Sequence, residues 1–331
     1  MQNHEIYMRR CLHLAQLGCY YVAPNPMVGA LLVEGDRVVA EGWHQRYGGP
    51  HAEVSCFRDA ERRGITDFSQ MTLYVSLEPC SHYGKTPPCA KLIIEKRPAR
   101  VVVGLLDPNP QVAGRGIAML REAGIEVIVG VLEDECRALN KRFLCLHEQH
   151  RPYVILKWAQ TADGFIDRLR SHQAQLHQVP EAPHQAPKAP HQSPLVISSA
   201  LTKQLVHKMR AENMAIMVGT RTALLDNPGL KTTRWPGRNP IRVLLDRHHV
   251  VPADSKIFSS DAETIVYSEN TDWDYILSDL AGRGIHSLIV EGGTTLLNYI
   301  ISTGIYDEVH VEVSPVKIGE GVAAPTVKLP D

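Results

Sequence analysis

One histidine, one glutamate and two cysteines are the residues whose types and spacing point most directly to chemistry. His51 and Glu53 form a His-x-Glu motif, Cys80 follows a Glu-Pro pair, and Cys89 follows a Pro-Pro pair. Zinc takes nitrogen and sulfur ligands in a tetrahedron, and a catalytic zinc leaves one position for water. His51, Cys80 and Cys89 would fill three positions, and the metal would lower the pKa of the water to roughly 7. Glu53 can then move protons beside the fourth position.

The spacing of these residues narrows the chemistry further. A His-x-Glu motif followed by Pro-Cys and a second cysteine is typical of zinc-dependent base deaminases, in which the glutamate is the general acid and base and not a ligand. Eight residues separate Cys80 from Cys89, whereas nucleoside and nucleic-acid deaminases usually have two. The alternative is a closed structural zinc site with His82 as the fourth ligand. A structural site has no use for a carboxylate beside its first ligand, so catalysis is the favoured interpretation.

The elements around these residues must bring them together. The hydrophobic periodicity predicts a helix over 51–63, with the histidine and the glutamate in its first turn. A buried strand over 71–76 ends shortly before the first cysteine, and Pro87-Pro88 favours a helix start at the second. Strands and helices alternate up to residue 150, and the last element is predicted to be one long helix over 133–147. This alternation predicts a three-layer α/β/α domain with a mixed sheet.

A second α/β pattern begins after Arg151-Pro152, where the proline ends the preceding helix. Its clearest local feature is Glu291-Gly292-Gly293-Thr294, which follows an apolar strand and precedes a helix. Backbone N–H groups at such a helix start can hold a phosphate, although the three spaced glycines of the dinucleotide fingerprint are absent. Residues 172–194 are rich in His, Pro and Gln, and their few apolar groups predict a mobile loop.

Length and composition suit two globular domains, 1–150 and 151–331. The chain has 331 residues, of which 44% are hydrophobic and 21% are charged. The net charge of -1 offers no basic surface for nucleic acid, which argues against a DNA or tRNA deaminase. The N-terminus lacks the apolar run of a signal peptide, and no segment has the ~20 apolar residues of a membrane span. The seven cysteines, two of them assigned to zinc, suit a reducing cytoplasm.

The motifs of both halves together resemble those of the bifunctional riboflavin-biosynthesis enzymes, in which a pyrimidine deaminase is fused to a ribosylamino-pyrimidine reductase. The resemblance covers nearly the whole chain, and the eight-residue gap between the cysteines is this family's spacing. Its marks in the first half are Ala23-Pro24-Asn25-Pro26, His44, Gly49-Pro50-His51-Ala52-Glu53, Glu78-Pro79-Cys80, Gly84-Lys85-Thr86-Pro87-Pro88-Cys89 and Asp107-Pro108-Asn109. Those in the second half are Arg151-Pro152-Tyr153-Val154, Asp163-Gly164, Met217-Val218-Gly219, Pro228-Gly229-Leu230 and Glu291-Gly292-Gly293.

For the first half, the resemblance implies a cytidine-deaminase-like domain that removes an amino group from a phosphoribosylated diamino-pyrimidinone. The zinc ligands and Glu53 of the family coincide with those read from the residue types. The resemblance further implies that the base, the ribose and the 5′-phosphate are held by Asn25, His44, Lys85, Asp107 and Asn109. The lysine suits the phosphate because an ammonium group binds it as a point charge.

For the second half, the resemblance implies a dihydrofolate-reductase-like α/β domain that uses NADPH to reduce the ribosyl group to ribityl. The implied cofactor-binding residues are Ala159, Thr222, Asp226, Gly292, Gly293 and Thr294, and the implied substrate-binding residues are Arg210, Leu230, Arg234 and Glu291. NADPH rather than NADH, and assembly into homodimers or homotetramers, rest on the resemblance alone. The implied partners are small molecules, with no nucleic acid and no membrane.

The second half departs from the family pattern in three places. Val196-Ile197 stand where the family has a Trp-Ile-like pair, so an aromatic wall of the cofactor pocket is expected to be missing. Arg234 lies one place later than the family's substrate-binding arginine. The chain ends soon after Lys317-Ile318-Gly319, where family members usually continue. Two alternatives to a bifunctional enzyme therefore stay open, namely a deaminase whose second domain serves assembly and a zinc-stabilised binding module without catalysis.

Overall fold

A computed structural model describes residues 4–83, 87–108, 113–170 and 194–327. The chain forms two compact units, one of Met1–Tyr153 with Ser278–His286 and the other of Val154–Leu277 with Ser287–Asp331. The loop predicted over 172–194 lies outside the described residues except for Pro194. Within the described ranges, no helix has the length and apolar character that crossing a membrane requires.

The first unit is built on a five-stranded mixed sheet. In chain order its strands are β1 (Gly29–Glu34), β2 (Arg37–Trp43), β3 (Met71–Leu77), β4 (Arg100–Leu105) and β5 (Glu126–Val129), and their spatial order is β2-β1-β3-β4-β5. Strand β1 runs antiparallel to β2 and β3, whereas β3, β4 and β5 are parallel. Strand β3 is buried along its whole length, as expected of a central strand covered on both faces.

Six helices cover the two faces of this sheet. They are α1 (His4–Gln16), α2 (Ala52–Arg62), α3 (Cys89–Lys96), α4 (Arg115–Glu122), α5 (Glu133–Leu139) and α6 (Lys141–Gln149). One core packs residues of α2, α3 and α4, such as Phe57, Ile93 and Leu120, against one face. A separate core packs residues of α1, α5 and α6, such as Met8 and Leu144, against the other. The predicted α/β/α sandwich with a mixed sheet is confirmed.

The single helix predicted over 133–147 is wrong, because the chain forms α5 and α6 with a break at Asn140. The Asn140 side chain is buried, and its Oδ1 atom accepts the Met27 N–H at 2.8 Å while its Nδ2 atom donates to the Met27 carbonyl at 2.9 Å. These two bonds satisfy both backbone groups of a residue distant in sequence. Helical periodicity cannot reveal such a tertiary partner, which explains the incorrect prediction.

The second unit contains a six-stranded sheet built on parallel strand pairs. The strands of this half are β6 (Tyr153–Thr161), β7 (Phe165–Asp167), β8 (Ala215–Gly219), β9 (Ile241–Leu245), β10 (Thr264–Tyr267), β11 (Ser287–Glu291), β12 (Glu308–Ser314) and β13 (Val322–Ala323). The sheet order is β10-β9-β8-β11-β6-β12, and β13 pairs with β7 separately. The helices are α7 (Ala200–Ala211), α8 (Thr220–Asp226), α9 (Trp273–Gly282) and α10 (Thr294–Thr303).

The register of this sheet brings two loops side by side. Met217 of β8 lies opposite Val290 of β11 in a parallel pair, so both strands end at the same edge. Strand β8 ends at Gly219 and leads into α8, and strand β11 ends at Glu291 and leads into α10. Open parallel sheets bind ligands at this edge, beyond the carboxyl ends of their strands.

Candidate active sites

The side chains of His51, Cys80 and Cys89 lie together in the first unit. The Nδ1 atom of His51 is 3.3 Å from the Cys89 Sγ atom and 3.6 Å from the Cys80 Sγ atom. All three potential ligand atoms lie within 4.8 Å of one another. Zinc bonds of ordinary length in a tetrahedron place a nitrogen and a sulfur ligand about 3.5 Å apart. The donor set and its spacing therefore fit one zinc ion.

The starts of two helices and the end of one strand position these ligands. His51 immediately precedes α2 in extended backbone, and Cys89 opens α3 behind Pro88. Cys80 follows β3, and its sulfur accepts the backbone N–H of Cys89 at 3.3 Å. The positive end of a helix dipole favours anionic groups, so this arrangement supports a thiolate.

The electrostatics of the cluster also favour a thiolate on Cys80. Its hydrogen bond with Cys89, joined by that with His51, overcomes burial and lowers the pKa of Cys80 to about 4. The hydrogen bond with Cys80 raises the pKa of His51 to about 8. The bond to Cys80 and burial together raise the pKa of Cys89 well above its ordinary value. Within the pair, the negative charge is therefore favoured on Cys80.

Glu53 lies beside the ligands and is only 3% exposed. Burial, with a further contribution from the charge of Cys80, raises the pKa of Glu53 to about 7. A carboxyl group with a pKa near neutrality can both give and take a proton at physiological pH. The position of Glu53 on the first turn of α2 keeps it next to the ligands without adding it to the cluster.

A cavity of about 310 Å³ adjoins this cluster and is lined by Glu53 and by three of the five residues predicted to hold the substrate, Asn25, His44 and Asp107. The Asn25 Nδ2 atom donates to the Nε2 atom of His44 at 3.0 Å, while the His44 Nδ1 atom donates to the Pro50 carbonyl at 2.9 Å. Burial lowers the pKa of His44, which agrees with this neutral arrangement. The other two, Lys85 and Asn109, lie outside the described residues.

His82, the fourth ligand of the structural alternative, also lines this cavity. The metal-ligand cluster among the described residues comprises His51, Cys80 and Cys89 without it. The cluster thus has three protein ligands and a cavity beside them, which is the arrangement of a catalytic zinc site.

A second cavity of about 310 Å³ lies in the second unit, towards the carboxyl ends of β6, β8 and β11. Every residue predicted for the cofactor lines it, namely Ala159, Thr222, Asp226, Gly292, Gly293 and Thr294. Three of the four predicted substrate residues, Arg210, Leu230 and Glu291, line it as well. The Gly293 N–H donates to the Thr222 hydroxyl at 3.2 Å, which ties the start of α10 to α8.

Arg234, the fourth predicted substrate residue, is not among the residues that line this cavity. The backbone leading to it is held by two contacts, because Asn239 accepts the Thr232 N–H at 2.8 Å and His207 accepts the Thr233 N–H at 3.0 Å. Burial, together with the charges of Arg210 and then Arg234, lowers the pKa of His207. Arg234 therefore lies close enough to His207 to affect its pKa, as Arg210 does, but it does not line the cavity.

An ion pair crosses the second cavity between Arg210 and Glu291, with 2.8 Å between the Nη2 and Oε2 atoms. Burial opposes the charge on Glu291, but the charges of Arg210 and Lys157 outweigh it and lower the pKa of Glu291. The Nε atom of Arg210 and the Oε1 atom of Glu291 are buried without a hydrogen-bond partner. Buried polar atoms in proteins normally have partners, so these two are fitted to contact a bound ligand.

Comparisons with known proteins cover nearly the whole chain. The cytidine and deoxycytidylate deaminase zinc-binding region matches residues 1–105, and the RibD C-terminal domain matches residues 152–329. The riboflavin biosynthesis protein RibD of Synechocystis sp. is 36% identical, covering 98% of this chain and 88% of the relative. RibD of Escherichia coli is 34% identical, covering 95% of this chain and 88% of the relative.

The chain belongs to the RibD family. Two solved structures share the fold along nearly the full length. The deaminase/reductase of Thermotoga maritima superposes with a TM-score of 0.83 at 36% identity, covering 97% of this chain and 89% of the other. Acinetobacter baumannii RibD superposes with a TM-score of 0.84 at 30% identity, covering 99% and 91%.

Membership of the RibD family makes this chain a deaminase and a reductase of riboflavin biosynthesis, acting on small phosphoribosyl pyrimidines. Its cofactors are zinc in the deaminase and NADPH in the reductase. The structure fits both groups. The three convergent ligands suit zinc, and the second cavity offers the N-terminus of α10 and the two unpartnered atoms of Arg210 and Glu291.

Helix α6 adds residues to the deaminase cavity that the sequence analysis missed. Phe143 and His147 both line the cavity, with 4.4 Å between their ring centroids. Burial lowers the pKa of His147, and the nearby charge of Asp107 acts in the opposite direction. The spacing of four residues would have placed both rings on one helix face. Only the fold shows that this face meets the cavity.

In the RibD reductase cavity, Arg170 is a lining residue that the sequence analysis missed. Its side chain is 7% exposed and lies between Asp167 at 2.5 Å and Asp226 at 2.8 Å, with the Leu225 carbonyl also accepting at 3.2 Å. Val196, which stands at the family's aromatic position, is 69% exposed and does not line the cavity. Trp158 does line it, so an indole is present on a different strand.

Proposed function

We propose that residues 1–150 hydrolyse 2,5-diamino-6-(5-phosphoribosylamino)pyrimidin-4-one with release of ammonia. The observation that carries this proposal is the convergence of His51, Cys80 and Cys89 beside a buried Glu53 with a pKa of about 7. These three side chains would hold zinc, which would supply a water with a pKa of roughly 7. Glu53 takes a proton from the attacking water and returns it to the departing amino group.

The remaining cavity residues hold the substrate in this proposal. Asn25 and His44 form a fixed hydrogen-bonded pair that presents polar edges to the pyrimidine, and Asp107 faces the same cavity. Lys85 and Asn109 complete the set, with the lysine at the 5′-phosphate because its ammonium group is a compact positive charge. Phe143 offers an aromatic surface for the planar base.

We propose that residues 151–331 reduce the ribosyl group of the deaminated product to ribityl. NADPH supplies the hydride for this reduction. Ala159, Thr222 and Asp226, with the segment Gly292-Gly293-Thr294, bind the cofactor in the second cavity. Arg210, Leu230 and Glu291 orient the ribosylamino group, and the unpartnered Nε and Oε1 atoms offer one donor and one acceptor for it. Arg234, close to His207 and Arg210, attracts the phosphate.

The substitution Glu53→Gln tests the deaminase proposal most directly. A carboxamide keeps the size of the side chain but cannot relay the proton, so ammonia release should fall by about 10²- to 10⁴-fold. Zinc content should remain one per chain. The matched control is Glu95→Gln, an exposed glutamate on α3. Normal ammonia release by the Glu53 variant would refute this mechanism.

Oxidation of NADPH in the presence of the deaminated ribosylamino-uracil phosphate tests the second half. Turnover is the expected result. Ammonia release without NADPH oxidation would favour a deaminase whose second domain serves assembly. Loss of both activities, with unfolding of the first unit when zinc is removed and looser zinc binding after His82→Ala, would favour a zinc-stabilised binding module.

We further propose that the protein acts in the cytoplasm as a homodimer or homotetramer. None of the seven cysteines, all of which lie in the described ranges, forms a disulfide, which suits a reducing compartment. The assembly state rests on the family likeness, and sedimentation equilibrium would test it directly, since a monomer at micromolar concentration would contradict it.

A further inference from the structure

Glu78 is a buried acidic residue of the deaminase unit to which the proposed chemistry assigns no role. It lies two residues before the zinc ligand Cys80 and is only 4% exposed. Burying a carboxylate is unfavourable unless hydrogen bonds replace its hydration. A carboxylate retained at this depth therefore needs specific partners.

Four backbone N–H groups supply those partners, and all belong to one stretch of chain after β4. The Oε2 atom accepts the N–H of Asp107 at 3.2 Å and that of Gly114 at 2.9 Å. The Oε1 atom accepts the N–H of Gly116 at 3.0 Å and that of Ile117 at 3.4 Å. Both oxygens are thus occupied by backbone donors.

Three of these donors form the start of α4. Gly114 is the N-cap residue of that helix, and no side chain of its own provides a cap there. The free N–H groups of a helix start need acceptors, and a negative charge near them is favourable. Gly116 also packs tightly on the neighbouring segment, because a Cβ atom there would lie 2.1 Å from the Pro79 carbonyl oxygen.

The fourth donor connects Glu78 to the substrate cavity. Asp107 lines that cavity, and its backbone N–H is bound by the Glu78 carboxylate. The backbone N–H of Glu78 in turn donates to the Leu105 carbonyl at 2.8 Å. Residue 78 therefore holds both ends of the short segment Leu105–Asp107, and it is itself joined through Pro79 to the ligand Cys80.

We propose that Glu78 is a positioning residue that sets the place of Asp107 relative to the zinc ligands and thereby the affinity for the pyrimidine substrate. This inference rests on the proposed role of Asp107 in binding the substrate. Glu78 itself lines the cavity, but backbone donors occupy both of its carboxylate oxygens, so in this proposal it acts through Asp107.

The test is steady-state deamination by the full-length zinc enzyme carrying Glu78→Gln. The carboxamide nitrogen cannot accept the N–H groups that one carboxylate oxygen now binds. We expect the KM for the diamino substrate to rise about tenfold, because one buried polar contact is lost. The kcat should change by less than about twofold. Zinc should remain at one per chain. The control is Glu122→Gln, an exposed glutamate at the end of the same helix, which should leave KM unchanged.

A double-mutant cycle separates positioning from direct contact. Asp107→Ala alone should raise KM, and adding Glu78→Gln to it should raise KM no further if Glu78 acts through Asp107. Additive effects would overturn the proposal. If Asp107→Ala leaves KM unchanged, the assigned role of Asp107 fails and the positioning proposal fails with it. If only the Glu78 variant has a normal KM, the positioning proposal fails and the role of Asp107 stands.

A second variant covers the case in which Glu78→Gln does not fold. Gly116→Ala places a methyl group against the Pro79 carbonyl and moves the first turn of α4 away from an intact Glu78. The same selective rise in KM is expected. A Glu78→Gln protein that folds but loses zinc and kcat together would show that Glu78 supports the metal ligands and would overturn the proposal.

Discussion

The deaminase and reductase cavities are built in different ways. The deaminase cavity takes its proposed ligands and acid-base residue from two short motifs, at the start of α2 and between the end of β3 and the start of α3. The reductase cavity takes residues from β6, β7, β8, β11 and β13, from three helices and from the segments between them. In the first, the polar groups are satisfied by one another. In the second, Arg210 and Glu291 each keep a buried atom without a partner. A metal site can therefore be recognised from short sequence motifs. A cavity assembled by the topology of a sheet cannot be recognised in this way.

Removal of a zinc ligand should separate the two sites most sharply. Cys89→Ala eliminates one of three ligands, so bound zinc and ammonia release should both be lost, the latter by at least about a thousandfold. NADPH oxidation with the deaminated substrate should stay within about twofold of the unmodified enzyme. Cys56→Ala, a buried cysteine on α2 outside the cluster, is the control and should keep its zinc. A parallel loss of both activities would contradict the independence of the sites.

Arg210→Met should impair the reductase and leave the deaminase intact. It removes the partner of a buried carboxylate, so the KM for the reductase substrate should rise by about a hundredfold and the free energy of unfolding should fall by about 3 kcal/mol. Ammonia release should be unaffected. Arg283→Met, which breaks an exposed pair with Asp279 on α9, is the control and should change stability by less than about 1 kcal/mol.

The same variant gives a pH test. In the unmodified protein the folded-state pKa of Glu291 is lowered, so its contribution to stability is present above its ordinary pKa and is lost as the pH falls through the folded pKa. Without Arg210, only Lys157 and His207 oppose the effect of burial, so the pKa of Glu291 rises and acidification destabilises the folded state less. The stability difference between the two proteins should therefore shrink between pH 7 and pH 4. Urea unfolding at both pH values measures it, and a constant difference would contradict the assignment.

Among these variants, Arg170→Met is expected to have the smallest effect on the reductase relative to the deaminase. It leaves Asp167 and Asp226 without their shared cation in a cavity that must accept the phosphates of NADPH. The KM for NADPH should rise about tenfold with little change in kcat. The exposed neighbour Arg168 provides the control variant Arg168→Met. Equal KM values in the two variants would exclude Arg170 from cofactor binding.

The residue types along the chain predicted a cluster of His51, Cys80 and Cys89, and the structure brings these three side chains together beside a buried Glu53. Periodicity was insufficient at Asn140, because the break between α5 and α6 depends on two hydrogen bonds to Met27, far away in sequence. In the second unit, β7, β10 and β13 each have four residues or fewer. Such short segments carry too few apolar positions to show a period.

By itself, the sequence determined the chemistry of the first site, because zinc ligation depends on nitrogen and sulfur donors whose residue types are visible at fixed spacing. Only the tertiary structure decided which groups surround that chemistry. It brought Phe143 and His147 to the cavity, gave Glu78 its four backbone donors, and placed Arg170 between two carboxylates. Apart from the Arg170–Asp167 pair, these contacts involve residues that are remote in sequence or groups of the backbone, neither of which a residue pattern records. Their strength comes from burial, and burial exists only once the chain has folded.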